Sequence, residues 1–359
     1  MLAEIMTKGF HGLLHKDQTA ALGILRSKFP DDVDAVKVKC VALIYLEKFD
    51  KALELAVKYD FLSTEKAYCL YRLKQDDDAL KLLDGEELDT LSAAQLHLAA
   101  QLARQHFRKE NYDQSIRIYE MLLARAQEGD DLLELQTNRL AAYASAGRSH
   151  ELMDREISIN AGFEVAFNKS FVAIQSGNWE AAEQLLLTAE RMCRDAFAAE
   201  GASEAEIAEE LAIIKTQLAF VKQMRGDVDS ALSDYRNVLK LKLRNRAVGV
   251  VASNNIVTIR KDRDVLDSLK RLKNIDATAL SDKLTSAQQE AILANRTLIL
   301  CLMNKTEESR ESLEALKKQF PASKSIADIS LLLTIKDHSP AATIEQLQVG
   351  YIALIEIDY

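Results

Sequence analysis

Apolar positions along this chain recur at helical spacing, in paired blocks separated by short polar turns. The clearest block is Gly226-Asp227-Val228, then Ala231, Tyr235 and Val238-Leu239. It reads as a turn, a small residue early in the following helix, and large apolar residues one and two turns later. Gly177-Asn178-Trp179, Ala182, Leu186 and Ala189 repeat it, as do Asn111-Tyr112, Ser115, Tyr119, Leu122 and the shorter Phe49, Ala52, Ala56. Gly147 followed by Leu152 is a degenerate copy, with a large residue where a small one is expected. Tandem helix hairpins of about 34 residues carry such marks, because the small residue lets paired helices approach closely.

With that small residue as a ruler, the positions are Ala21, Ala52, Ala79, Ser115, Leu152, Ala182, Ala231, Ser268 and Ser309. They predict an all-α fold, a tetratricopeptide-repeat (TPR) superhelical solenoid of about nine hairpins. The reading is a single domain over 1–359, with repeats over 1–321 and a helical cap over 322–359. The wide interval from Ala182 to Ala231 predicts a long second helix reaching about Ala199, a turn at Gly201 and a long first helix over Ala205–Met224. Pro30 and Pro321 fall just after second helices, where the chain stops being helical. Ser325–Lys336 and then Ala341 to about Ile357 form the cap. One hairpin cannot bury its apolar face alone, so stacking supplies the stability.

Composition agrees with helices joined by short turns: only 12 Gly and 3 Pro occur in 359 residues. No apolar run approaches the roughly 18 residues that span a bilayer. The N-terminus lacks signal-peptide order, with Lys8, His11 and His15 interrupting it, so the expectation is a cytoplasmic protein without a membrane. Cys40, Cys69, Cys193 and Cys301 lie far apart and read as reduced thiols on apolar faces. His11 and His15 share a helix face but no third metal ligand is near, so no metal is expected. None of the phosphate-loop, dinucleotide, zincin or nucleophile-elbow motifs occurs, and acidic pairs such as Glu86-Glu87 and Glu209-Glu210 read as solvated faces. The expectation is therefore no enzyme, no cofactor and no small-molecule substrate.

The first helix of each hairpin should line the concave wall. One address on it, fourteen residues before the ruler, carries Gln101, Asn138, Asn168, Gln217, Asn254 and Asn295 in six consecutive hairpins, with Val38 and Glu65 in earlier ones. A carboxamide donates and accepts, which suits the main chain of a bound peptide. The other reading is that these side chains tie neighbouring repeats together. Tyr68, Tyr71, Arg72, Arg104, Phe107, Arg108, Phe171 and Phe220 fall on the same wall, as aromatic and arginine anchors of a peptide interface. Phe171 and Phe220 could equally be core, and the arginines either solvated or steering an acidic ligand. Lys215 and Lys222 flank Gln217, but no second hairpin completes the carboxylate clamp of a co-chaperone.

The net charge of −9 disfavours nucleic acid, yet ten basic and three acidic residues lie between Lys240 and Lys273. Lys240, Lys242, Arg244 and Arg246 close one hairpin, and Arg260, Lys261 and Arg263 make the next turn, followed by Lys270, Arg271 and Lys273. If hairpin turns stack, these form a ridge for RNA, a ribosome or an acidic protein; otherwise they are a solvated face.

Several segments in order are distinctive beyond the repeat marks: Ala189-Glu190-Arg191-Met192-Cys193-Arg194, the helix and turn from Gln217 to Gly226, and Val250-Val251-Ala252-Ser253-Asn254-Asn255-Ile256. Lys261-Asp262, Asp267-Ser268 and Lys270-Arg271-Leu272-Lys273 follow. Over about residues 160–275 the chain closely resembles the SRP72 family of subunits of the eukaryotic signal recognition particle, and more weakly toward both ends. That resemblance implies a repeat domain that grips a segment near the C-terminus of SRP68, the other large subunit, in a particle that targets secretory chains to the endoplasmic reticulum. It also implies a Lys-rich RNA-binding tail, for which this sequence shows no counterpart, so contact with particle RNA is expected to be weak or indirect. Ser253 stands where the family commonly has Ala.

Overall fold

The computed structural model describes residues 32–84, 93–126, 130–152, 158–241, 243–273 and 283–338. All regular structure among them is helical. The α-helices are α1 (Val33–Tyr45), α2 (Phe49–Ala56), α3 (Ser63–Arg72), α4 (Asp76–Asp84), α5 (Ala93–Arg108), α6 (Tyr112–Leu123) and α7 (Asp130–Ser145). They continue with α8 (Phe163–Gln175), α9 (Trp179–Ala199), α10 (Glu204–Met224), α11 (Val228–Leu239), α12 (Arg246–Arg260), α13 (Val265–Lys273), α14 (Ser286–Leu302), α15 (Thr306–Gln319) and α16 (Ser325–His338). The chain divides into two compact units, one through Ala146 and one from Gly147. The first holds α1–α7 and the second α8–α16.

Within each unit the hairpins follow the ruler. Ala52, Ala79, Ser115, Ala182, Ala231, Ser268 and Ser309 lie on second helices and are fully buried. Where serine replaces alanine, its hydroxyl is buried in the close contact; Ser115 and Ser309 find a backbone partner there, and Ser268 Oγ has none among the described residues. Ser115 Oγ donates to the Ala103 carbonyl at 3.0 Å and Ser309 Oγ to that of Thr297 at 3.3 Å, each twelve residues back on the first helix. A buried hydroxyl without such a bond would cost about 1–3 kcal/mol. Leu152, the large residue at a ruler position, lies in a 3-10 turn (Ser149–Leu152) and not in an α-helix. Ala21, Pro30 and the Ala341–Ile357 part of the cap lie outside the described residues.

One turn chemistry joins first helix to second. After α1, α3, α5, α8, α10 and α14 a residue sits in the left-handed region: Glu47, Lys74, Glu110, Gly177, Gly226 and Asn304. The amide of the next residue then reaches back to a carbonyl five earlier, as in Lys48 to Leu43, Asn178 to Ala173 and Asp227 to Lys222. This closes the C-terminal carbonyls of the first helix. The residue whose amide makes that bond often also caps the second helix: Asn178 accepts from the Ala181 amide and Asp227 from that of Ser230. Ser203 with Glu206, and Thr285 with Gln288, form complete capping boxes that start α10 and α14.

The long pair foreseen around Gly201 is α9 and α10, of 21 residues each, with Gly201 at φ +79° between them. Leu186, Ala189 and Cys193 of α9 pack against Ile207, Leu211 and Leu218 of α10. Each large apolar side chain so buried contributes about 1.5–3 kcal/mol before ordering costs. No helix among the described residues is long and apolar enough to cross a membrane.

Candidate functional site

In the first unit the first helices of three successive hairpins leave a recess of about 540 Å³. Ile44 and Tyr45 of α1, Glu65, Tyr68 and Arg72 of α3, and Leu98 of α5 line it. Tyr45 is 58% exposed, a large apolar ring left open at the recess edge. Tyr68 and Arg72, one helical turn apart, meet directly: an Arg72 Nη donates to the Tyr68 hydroxyl at 2.8 Å. The Arg72 guanidinium also lies 4.3 Å from the centroid of the Phe49 ring and 3.9 Å from Glu47. The bond to Tyr68, more than the nearby carboxylate, holds its pKa above the usual arginine value. Tyr71 is half-buried, its ring centroid 6.4 Å from that of Tyr68. The sequence had placed Tyr68, Tyr71 and Arg72 on one wall, and the structure brings them together.

Further along this unit, Arg104 of α5 is ion-paired with Glu134 of α7, so its charge is shared between hairpins. Phe107 is half-buried with its centroid 5.5 Å from that of Tyr112, and Arg108 is exposed. Gln101 is half-buried, 3.4 Å from His97, and Asn138 is half-buried on α7.

In the second unit the carboxamide address splits. Asn168 and Phe171 of α8 keep partial exposure. Gln217, Asn254 and Asn295 are 0% exposed, so no ligand reaches them. Phe220 is buried too, in an edge-on contact with Trp179 at 6.4 Å. Gln217 and Phe220, expected on an open wall, are therefore interior. The reason is that α10, α12 and α14 are covered on both sides: α10 buries Thr216–Val221 without a break, and α12 buries Asn254–Thr258 likewise.

There the polar side chains pair with one another. Asn295 donates to Asn254, Asn254 Nδ2 to Asn255 Oδ1 at 3.3 Å, and Asn255 to the Tyr235 hydroxyl at 3.0 Å. Tyr235 donates to Gln223 at 3.0 Å and Gln223 to Thr258 at 3.1 Å. The chain of bonds runs from α10 and α11 through α12 to α14. Sequence reasoning missed Asn255, Gln223 and Thr258; the adjacent Asn254-Asn255 pair on an otherwise apolar helix was the available signal.

The basic stretch does not form one ridge. Lys240 caps the C-terminus of α11 and Arg244 and Arg246 lie at the start of α12, whereas Arg260, Lys261 and Arg263 lie at the end of α12, about 21 Å from its start along the axis. Lys242 lies outside the described residues. Several of these cations are paired: Arg244 with Glu209 at 3.4 Å, and Arg260 with Asp267, which also accepts from Arg271 at 2.7 Å. Lys240, Arg246, Lys261 and Arg263 are exposed. No cluster of three or more metal-ligating side chains occurs among the described residues.

Stacked helix hairpins, most closed by a small buried residue, with an aromatic recess on the first helices of the first unit, define a TPR-type repeat protein. The SRP_TPR_like family of TPR-like repeats matches residues 24–145, which include the recess. Over 299 residues, 81% of its length, the chain is 31% identical to signal recognition particle subunit SRP72 of Canis lupus familiaris, and as much to that of Homo sapiens. It is 32% identical to SRP72 of Caenorhabditis elegans over 357 residues, 96% of its length. It covers 44% of the dog and human proteins and 54% of the nematode one, so it spans about half the length of these curated relatives. The resemblance first visible over about residues 160–275 is therefore to SRP72 subunits of the signal recognition particle, and it holds over most of the chain.

Proposed function

We propose that this chain is a protein-binding adaptor of a cytoplasmic signal recognition particle, gripping a segment from the C-terminal region of the SRP68 subunit in the recess of its first unit. The observation that carries this reading is the recess itself, shared by α1, α3 and α5, with an exposed Tyr45 beside the Tyr68–Arg72 pair. A peptide laid across successive first helices would seat apolar side chains there, while Gln101 and Asn138 offer bonds to its main chain, each contributing about 0.5–1.5 kcal/mol. The role is binding and not catalysis. Contact with particle RNA is weak in this reading, because the cations around α12 are split between its ends and partly paired.

Calorimetry of the chain against the C-terminal region of SRP68, with particle RNA as a parallel titrant, tests this. Tight one-to-one protein binding, weakened about tenfold or more by Tyr45→Ala, and feeble RNA binding are expected. Strong, salt-sensitive RNA binding without protein binding would transfer the function to the basic groups of α12.

A further inference from the structure

Glu65 occupies the wall address at which six later hairpins carry Asn or Gln, and it lines the recess. It is half-buried and has no hydrogen bond or ion pair among the described residues. Its negative charge is nevertheless felt inside the wall: it adds to the burial that pushes the Cys69 thiol up to about 11 and the Cys40 thiol to about 12. The other charges at the recess, Arg72 and Glu47, face each other at 3.9 Å, and Arg72 is further held by Tyr68 and the Phe49 ring. They offset one another, which leaves Glu65, in the first turn of α3, as the charge lining the recess that no cationic side chain balances.

We infer that the segment seated in this recess presents a lysine or arginine to Glu65, next to the apolar side chain that packs on Tyr45 and Tyr68. This rests on the recess being the partner site. An acidic segment would meet a carboxylate already lacking a partner, and Arg72 is too committed to offset it. A neutral segment would strip water from Glu65 and return only N–H bonds, which offset that loss less than an opposite charge does. A cation removes both difficulties, and an aromatic wall suits the methylene stem of the same side chain.

The test uses the whole chain and the C-terminal region of SRP68, titrated by calorimetry at two salt concentrations. Glu65→Gln preserves shape and is expected to weaken binding about tenfold and to flatten its salt dependence. Replacing the basic residues of the partner one at a time by Gln should give a similar loss at one position, and no additional loss there against Glu65→Gln. Glu47→Gln, removing a charge that Arg72 already balances, should change affinity less than Glu65→Gln. Unchanged or tighter binding by Glu65→Gln, while Tyr45→Ala weakens it, would overturn the cation and leave the recess standing. If Tyr45→Ala also binds like wild type, the recess is not the site and both readings fall.

Discussion

Asn295 on α14 donates from Nδ2 to Oδ1 of Asn254 on α12 across 2.8 Å, with both side chains fully buried. Two first helices of successive hairpins are thereby joined through one repeated address. Each carboxamide has left water entirely, so its bonds have to be made inside the protein, and removing one partner strands the other.

The first prediction follows from that pair. Asn295→Ala should destabilise the second unit by about 1–3 kcal/mol, the cost of leaving a buried carboxamide unpaired. Affinity for SRP68 should not change, since the recess lies in the other unit. Urea unfolding followed by calorimetry on the folded variant checks both halves. Weakened binding with wild-type stability would mean that this position faces a ligand after all.

The second concerns His106 on α5, which is buried with neither ring nitrogen hydrogen-bonded among the described residues. Burial lowers its pKa, outweighing the carboxylates of Asp76 and Asp77, while the Lys109 ammonium lowers it further. The unfolded chain, with an ordinary histidine pKa of about 6.5, therefore takes up a proton before the folded one does. Its stabilising effect is present above about pH 6.5 and is lost as pH falls from there toward the lower folded pKa. Thermal melts between pH 8 and pH 5 should show this decline for the wild type and a shallower one for His106→Leu. Parallel curves for the two proteins would exclude His106 as the cause.

The third concerns the thiols. Cys40, Cys69, Cys193 and Cys301 are all free and buried. Burial is the largest cause raising Cys40 to about 12 and Cys69 and Cys193 to about 11. Almost no thiolate exists at Cys40, Cys69 and Cys193 at pH 8, so iodoacetamide should label these three slowly in the native chain and at the rate of ordinary thiols in the urea-unfolded chain. Rapid labelling of native Cys40 or Cys69 would show that the wall behind the recess opens readily.

Much of this fold was legible from residue spacing, because hairpin packing makes a local demand. A second helix approaches the first closely only where the side chain is small, so Ala182 and Ala231 mark their helices wherever they occur. The 49-residue interval between them reads directly as the long α9 and α10. The degenerate Leu152 likewise marked the place where the regular hairpin gives way to a 3-10 turn. Turn chemistry was less legible. Glycine announced Gly177 and Gly226, but Glu47, Lys74, Glu110 and Asn304 take the same left-handed conformation and were not foreseen.

The candidate site divides along the same line. Sequence by itself determined the hairpin period, the helix on which each carboxamide and aromatic lies, and the placing of Tyr68 and Arg72 on one face, because periodicity along a helix needs only local geometry. Tertiary structure alone decided which of those positions stay open. Gln101 and Asn138 are half-exposed while Gln217, Asn254 and Asn295 are sealed, and Arg260 is separated from Arg246 by the length of a helix. Burial depends on what the neighbouring hairpins place against a helix, and residues far apart in sequence supply that covering.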